Sequence, residues 1–434
     1  EIEAGHATHD EKIILVGREV FPSDLVRIST DNLLGIVCSE GGKTSHTAIL
    51  ARSLNIPAMV GASGIDQFCE TGDLILLDAD QSMAYLNPSA KLLENYKQVD
   101  AAEKAEIKVE EKKNRKPAIT KDGTKIEIQG NICMLRDLKE LNQNYHDGVG
   151  LYRTEFMYMI HDTFPSENEQ YRIYRKIVKN LGDKPTTIRV LDIGGDKPLK
   201  YFEHQEESDP MLGWRSIRIL LQRPEIFRPH LRALLRASQR GNMRILFPMV
   251  SHYEDIIALK EHLQLALKDL RQSYGNRFSM PPIGIMVETP SVILQIDEIL
   301  KEVDFVSIGT NDLVQYMFAA DRGNNKVSNY FQPMHPVILR AIEKVISSCR
   351  RMNKSISLCG EIGGDPQFLP LLLGLGLRDI SMPPSRMAEI QELSAQMSIN
   401  DCVTLARKVS NYRTTEQVKD EVDKFLRRKT TFYS

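Results

Sequence analysis

Residues 41–52, Gly-Gly-Lys-Thr-Ser-His-Thr-Ala-Ile-Leu-Ala-Arg, place glycines, hydroxyls and one imidazole directly ahead of an apolar, helix-forming run. A glycine-rich loop entering a helix attracts anions, because its free backbone N–H groups and the helix dipole both favour negative charge. Imidazole is a competent nucleophile near neutral pH, so His46 could itself take up a phosphoryl group. An ordinary strand–loop–helix turn with an exposed histidine is the alternative for this stretch alone. Arg153, Arg189, Arg215 and Arg322 stand at or just beyond β-like runs. The planar fork of arginine gives paired, charge-assisted bonds to carboxylate and phosphate. Each alone could be a surface ion pair, and Arg189, inside its run, a buried structural partner; together they would suit a small polyanion. Glu288 and Asp312 offer two hard oxygen ligands for Mg²⁺ shared with a phosphate, or a pair of carboxylates balancing the arginines. Asn311 could orient a ligand carboxylate. Cys359, between an apolar run and a glycine-rich turn, could exchange a proton with a bound ligand or be a small buried residue.

These groups need a frame. Over residues 1–88, β-like runs at Ile13–Val16, Gly35–Ser39 and Leu74–Asp78 alternate with a helix-like Thr47–Leu54, which predicts a small α/β unit. Residues 89–116 are dense in Lys, Glu and Ala and read as a charged, solvated helix linking two domains, ended by Pro117. From residue 120 eight β-like runs alternate with amphipathic stretches: Lys125–Asn131, Gly148–Glu155, Thr187–Ile193, Arg244–Val250, Ile283–Glu288, Phe305–Gly309, Ser355–Gly360 and Asp379–Met382. This predicts a parallel β/α barrel with its chemistry at the C-terminal strand ends, several of which are polar here: Arg153–Glu155, Asp192, Glu288, Gly309–Asp312 and Cys359–Glu361. The expected domains are 1–88, a linker 89–117, and a barrel with closing helices over 118–434.

Composition narrows the function. With 434 residues, 26% charged and 42% hydrophobic, the chain reads as a globular protein of more than one domain. Its net charge of −2 gives no footprint for nucleic acid. The six cysteines are scattered without CxxC spacing, which fits a reducing cytoplasm rather than a disulfide framework. No apolar stretch is long enough for a membrane span, and no Walker A or GxGxxG loop occurs. His230 and the remaining histidines read as helix or polar-loop residues, and Trp214 as packing for Arg215.

The motifs together resemble enzyme I of the bacterial phosphoenolpyruvate-dependent phosphotransferase system. They are Gly41–Arg52, Gly148–Met157 (GVGLYRTEFM), Leu191–Lys197 (LDIGGDK), Pro210–Arg218 (PMLGWRSIR), Phe247–Val250 (FPMV), Gly284–Pro290 (GIMVETP), Ser307–Tyr316 (SIGTNDLVQY), Asp321–Asn324 (DRGN) and Cys359–Asp365 (CGEIGGD). The resemblance implies a swivelling phosphohistidine domain, a helical linker and a (β/α)8 barrel. It implies that His46 is phosphorylated and that Arg153, Arg189, Arg215 and Arg322 grip phosphoenolpyruvate with help from Asn311. It further implies that Glu288 and Asp312 bind Mg²⁺ and that Cys359 protonates the enolate as pyruvate forms. A cytoplasmic homodimer handing phosphate to an HPr-type carrier is the family expectation, with the linker letting the small domain swing.

Two departures stand out. Only 45 residues precede His46, so the helical domain that docks HPr is expected to be absent and onward transfer impaired. Asp209 stands where sugar-branch members usually carry Asn. The Pro333–Pro336 stretch points to the nitrogen-related branch. Competing expectations are a fragment of a pyruvate phosphate dikinase or phosphoenolpyruvate synthase, or a non-catalytic phosphoenolpyruvate sensor.

Overall fold

The computed structural model describes residues 12–20, 32–40, 47, 51, 56–79, 82–94, 96–97, 116–195, 197, 199, 201–202, 207–322 and 324–431. The chain divides into two compact units: Glu1–Val109 with the short segments Met159–Asp162 and Arg322–Asn325, and the remainder. In the smaller unit, β1 (Ile13–Gly17), β2 (Leu33–Cys38) and β3 (Ala58–Met59) form a parallel sheet in that order. The antiparallel hairpin β4 (Ile75–Asp78) and β5 (Met83–Leu86) follows. The three expected strands are present; β3 and β5 are additional, and β3 is too short to show an alternating pattern. Thr47 is buried and helical, and its hydroxyl donates to the Val20 carbonyl (3.1 Å) and accepts from the Val20 N–H (3.0 Å). This two-way bond fixes the backbone next to His46. Residues 90–94 and 96–97 are helical, as expected for the start of the linker. Residues 98–115 of the expected linker lie outside the described residues.

The larger unit is the expected barrel. A short β6 (Ala118–Ile119) folds back antiparallel on β7 (Lys125–Ile132). Seven further strands follow: β8 (Gly148–Arg153), β9 (Thr186–Arg189), β10 (Met243–Phe247), β11 (Ile283–Val287), β12 (Phe305–Ile308), β13 (Ser355–Leu358) and β14 (Asp379–Met382). Neighbours pair in parallel, and β14 pairs with β7 to close the ring. All eight expected runs are strands. Their apolar positions are buried on both faces, one toward the barrel axis and one toward the surrounding helices, as in parallel α/β sheets. Leu151, Leu246, Met286, Phe305 and Cys359, from five different strands or strand ends, meet on the axis. The helices run as anticipated at Tyr253–Tyr274 and Pro336–Arg351, and Ile399–Val409 and Thr415–Lys429 close the chain.

Several strands stop earlier than the apolar pattern predicts. β8 ends at Arg153, β9 at Arg189 and β10 at Phe247. Beyond these points backbone N–H groups leave the ladder for side chains: Asp192 donates to Glu155 Oε1 (3.1 Å) and Met249 to Glu288 Oε1 (2.6 Å). The chain there is shaped by the polar groups of the mouth, which periodicity does not report.

Behind β9, His230 is wholly buried in the helix Pro224–Ser238. Its Nε2 accepts from the Leu191 N–H (3.2 Å), which leaves the proton on Nδ1, facing Gln170 Oε1 (2.8 Å) and the Tyr158 hydroxyl (3.1 Å). Burial drives the imidazole down to about 3, so it stays neutral. The residue read as an ordinary helix histidine therefore positions the backbone leading into Asp192. His230→Leu is expected to orphan these groups and to cost about 2–4 kcal/mol. Urea unfolding measures this, and a loss under 1 kcal/mol would mean the network is dispensable.

At the opposite end of the barrel, Gln129 Nε2 donates to Asp379 (2.8 Å), and the Arg244 guanidinium lies 4.7 Å from the Phe305 ring centre. Burial, eased by Arg244, lifts the Asp379 carboxyl to about 7. The folded protein thus binds a proton that the unfolded chain releases near pH 4, so stability falls as pH rises from about 4 to 7 and then levels. The full shift corresponds to about 4 kcal/mol, and partial solvent access reduces it to roughly 2. Asp379→Asn is expected to flatten that slope; denaturation midpoints at pH 5 and 8 test it, and an unchanged slope would refute it.

Candidate active site

The C-terminal ends of the strands gather most of the expected residues into one buried ionic network. Arg189, the last residue of β9, donates to Glu155 Oε1 (2.8 Å) and lies 3.4 Å from Asp192. Arg215 is fully buried and gripped on both sides. Its Nε and Nη2 reach the two oxygens of Asp192 (3.0 Å each), and its Nη1 and Nη2 reach those of Asp312 (3.2 and 3.1 Å). Nη1 also donates to the Tyr316 hydroxyl (3.2 Å). Lys197 Nζ adds a 2.6 Å contact to Asp192. Burial opposes charge on Asp192, but Arg215, Lys197 and Arg189 outweigh it and hold the carboxyl well below the usual range.

Local backbone features explain how these side chains arrive. Gly194 has φ +90°, and a Cβ on it would lie 2.5 Å from the Trp214 carbonyl oxygen, so only glycine lets the loop after β9 pass against Trp214–Arg215. The Trp214 ring stacks on Phe202 at 5.5 Å, and the backbone N–H of Trp214 donates to both oxygens of the Glu207 carboxylate at 3.0 Å. The ring thus packs on Phe202, with the Arg223 guanidinium 5.5 Å from its centre. Met249 has φ +55°, a strained position for this residue type, and the turn aims its N–H at Glu288.

Glu288 directly follows β11 and is buried. Asp312 sits not on a strand end but in the first turn of the helix Thr310–Phe318. Burial first, and then Asp312 and Asp192, raise the Glu288 carboxyl to about 8, against the pull of Arg189 and Arg215. Negative charge at this point is in excess, the condition that a divalent cation relieves. Among the described residues no group of three or more His, Cys, Asp or Glu could hold a metal. Two buried carboxylates with the remaining positions left to phosphate oxygens and water match the donor set of Mg²⁺, so the residues present fit that ion.

Cys359 directly follows β13, is buried, and donates its thiol to the Ile308 carbonyl (3.7 Å). Burial lifts the thiol to about 11, against a hydrogen bond from Ser307 and the charge of Arg189. The thiol therefore keeps its proton at neutral pH. A Cβ on Gly360 would run into Thr310, so glycine here lets the turn after Cys359 lie against the start of the Asp312 helix. Asn311 is half-buried and makes a reciprocal pair with the exposed Glu361: its Nδ2 donates to Oε1 (3.0 Å) and its Oδ1 accepts from the Glu361 N–H (3.2 Å). Arg153 ends β8, where its charge acts on both Cys359 and Cys133, and its Nε is buried with no hydrogen-bond partner among the described residues.

The barrel thus brings Arg153, Arg189, Arg215, Glu288, Asp312 and Cys359 to its mouth. Arg322 lies in the segment Arg322–Asn325, which groups with the smaller unit. His46 lies outside the described residues. Asp209 is exposed, so its charge is directed to solvent. His335 caps the helix Pro336–Arg351, its ring accepting from the Val337 N–H (3.2 Å), which gives the Pro333–Pro336 stretch a local structural reason. Sequence reading assigned no role to Glu155, Asp192, Lys197, Tyr316 or Ser307. A charged residue closing an apolar run beside Gly-Gly was the one signal for Asp192.

Comparison with known proteins agrees with this arrangement. The family "PEP-utilising enzyme, PEP-binding domain" matches residues 107–399, and "PEP-utilising enzyme, mobile domain" matches residues 9–82. The phosphoenolpyruvate-protein phosphotransferase of Haemophilus influenzae is 40% identical over 420 residues, covering 96% of this chain and 72% of that protein. The proteins of the same name from Buchnera aphidicola (40% over 420 residues) and Staphylococcus carnosus (39% over 424) each cover 96% of this chain and 73% of their own length. The chain belongs to the phosphoenolpyruvate-protein phosphotransferase family.

Proposed function

We propose that this chain takes the phosphoryl group of phosphoenolpyruvate onto His46 and releases pyruvate, as the first step of a relay to an HPr-type carrier. The observation that carries this reading is a buried, protonated thiol set beside a cluster of arginines at one barrel mouth. A trianionic substrate needs fixed positive charge, and its enolate product needs an acid. In the reaction the P–O bond to the enol oxygen breaks and a bond from phosphorus to the His46 ring nitrogen forms. The enolate then takes the Cys359 proton at its methylene carbon. Arg153 and Arg189 are the cations placed to receive the substrate, each with a buried Nε that has no partner among the described residues. Arg215 is already matched by Asp192 and Asp312, so a bound phosphate competes with Asp312 for it. Arg322 and Asn311 complete the substrate contacts in this reading. Mg²⁺, held by Glu288 and Asp312, would neutralise phosphate charge; loose phosphoryl-transfer transition states gain most from such positioned positive charge.

The names of the relatives favour this reading over a dikinase or synthase fragment. The acid at Cys359 favours an enzyme over a phosphoenolpyruvate sensor, which needs none. The homodimer, the cytoplasmic location, the swinging linker and the nitrogen-related branch are parts of the proposal that rest on resemblance. No helix among the described residues is long and apolar enough to cross a membrane.

A single turnover tests the proposal. The chain is mixed with phosphoenolpyruvate and Mg²⁺ without nucleotide, pyruvate is counted, and intact mass is read at neutral pH. About one pyruvate and one acid-labile phosphoryl group per chain are expected, as a covalent intermediate requires. A requirement for ATP would favour the dikinase reading. Substrate binding without pyruvate would favour the sensor.

A further inference from the structure

Beneath Cys359 the barrel interior holds two hydroxyls that phosphoryl chemistry does not use. Ser307 on β12 and Ser357 on β13 are register partners, both buried. Ser357 Oγ donates to Ser307 Oγ at 3.0 Å. With its acceptor side engaged, Ser307 has its own proton to give, and Cys359, two residues beyond its register partner Ser357 and so on the same face, is tied alongside β12 by its N–H to the Ile308 carbonyl (3.1 Å). The thiol proton in turn is directed at the Ile308 carbonyl. Leu151, Leu246, Met286 and Phe305 make the rest of this cluster apolar. The charged groups that act on the sulfur are Arg189, Glu288 and Arg153.

We infer that Ser307, oriented by Ser357, is a positioning residue for the proton step, donating a hydrogen bond to the Cys359 sulfur as it becomes a thiolate. The inference rests on Cys359 being the acid. In that step the S–H bond breaks and a C–H bond forms at the methylene carbon from the enolate π pair. The sulfur keeps the S–H pair, the C–O bond becomes the ketone, and water later returns a proton to the sulfur. A hydrogen bond to a charged acceptor is about twice as strong as one to a neutral group. Ser307 therefore acts more on the developing thiolate than on the resting thiol, and bonds relayed along a chain of donors reinforce one another. Without it the charge develops in a largely apolar pocket.

The test is exchange of the pyruvate methyl protons in D₂O, followed by NMR with Mg²⁺ present, which runs the proton step without phosphoryl transfer. Ser307→Ala is expected to slow exchange about 10- to 100-fold. Ser357→Ala is expected to slow it by a smaller factor, and in both the affinities for pyruvate and phosphoenolpyruvate stay within about twofold of the parent. Exchange within about twofold of the parent in Ser307→Ala would overturn the inference, as would a loss of exchange matched by an equal loss of affinity. Cys359→Ala separates the two levels. If it exchanges at the parent rate, the acid role of Cys359 itself fails; if it is silent while Ser307→Ala is unaffected, only the role of Ser307 fails.

Discussion

His46→Ala is expected to abolish phosphorylation of the chain and pyruvate release together, by on the order of 10³-fold or more, while phosphoenolpyruvate still binds. In the proposed reaction the imidazole is the nucleophile, and a hydroxyl does not substitute for it near neutral pH. Thr47, the next residue, is held to Val20 by two hydrogen bonds of its hydroxyl, and these survive the substitution. A melting temperature within about 2 °C of the parent is the expected accompanying result, and it separates loss of the phosphoryl acceptor from loss of the fold. Intact mass at neutral pH, a pyruvate count and a substrate titration read the three quantities separately. A variant that still releases one pyruvate per chain would mean the phosphoryl group goes elsewhere, and the role of His46 would fall.

Asp192→Asn carries the second large effect, and here stability and activity change together. Asp192 is fully buried and, among the described residues, is the carboxylate shared by all three of Arg189, Arg215 and Lys197. Asparagine keeps the shape and one acceptor oxygen but turns an N–H₂ toward guanidinium groups and removes the balancing charge. Breaking a buried pair from one side costs about 3–5 kcal/mol, because the remaining charges stay buried without compensation. Activity should fall at least about 100-fold, since Arg215 loses one of the two carboxylates that aim it. The sign with pH follows from the depressed carboxyl. Its contribution is present above its unfolded value near 4 and is lost as pH falls through the lower folded value, so the wild-type chain keeps it across neutral pH. Urea unfolding of Asp192→Asn, and of Asp192→Asn with Lys197→Met, gives the check. The double substitution should recover part of the loss by removing one uncompensated cation. Equal stability of wild type and Asp192→Asn would refute the network as a structural element.

The barrel was legible because a strand buried on both faces must be apolar along its length. The runs beginning at Thr187, Arg244 and Ile283 therefore show themselves without any knowledge of their neighbours. The far ends of those runs were less legible. Asp192 and Met249 looked like strand continuations, yet their N–H groups are claimed by Glu155 and Glu288, residues that come close only once the ring closes. The small unit was read in part, since a two-residue strand such as Ala58–Met59 leaves no pattern.

The sequence by itself determined the kinds of chemical group, their order along the chain and the family, because residue types and motif spacing survive without three dimensions. It also placed Arg153, Arg189, Glu288 and Cys359 at strand ends, which in a parallel barrel share one mouth. Only the tertiary structure decided what each group does there. Arg215 meets Asp192 across 23 residues and Asp312 across 97, and Arg189 meets Glu155 across 34. Which carboxylate an arginine meets sets whether it is a structural bridge or a free cation. Burial beside those same partners sets whether Glu288 is charged and whether Cys359 keeps its proton. Both depend on local dielectric and distances of a few ångströms, quantities that exist only after the strands have closed.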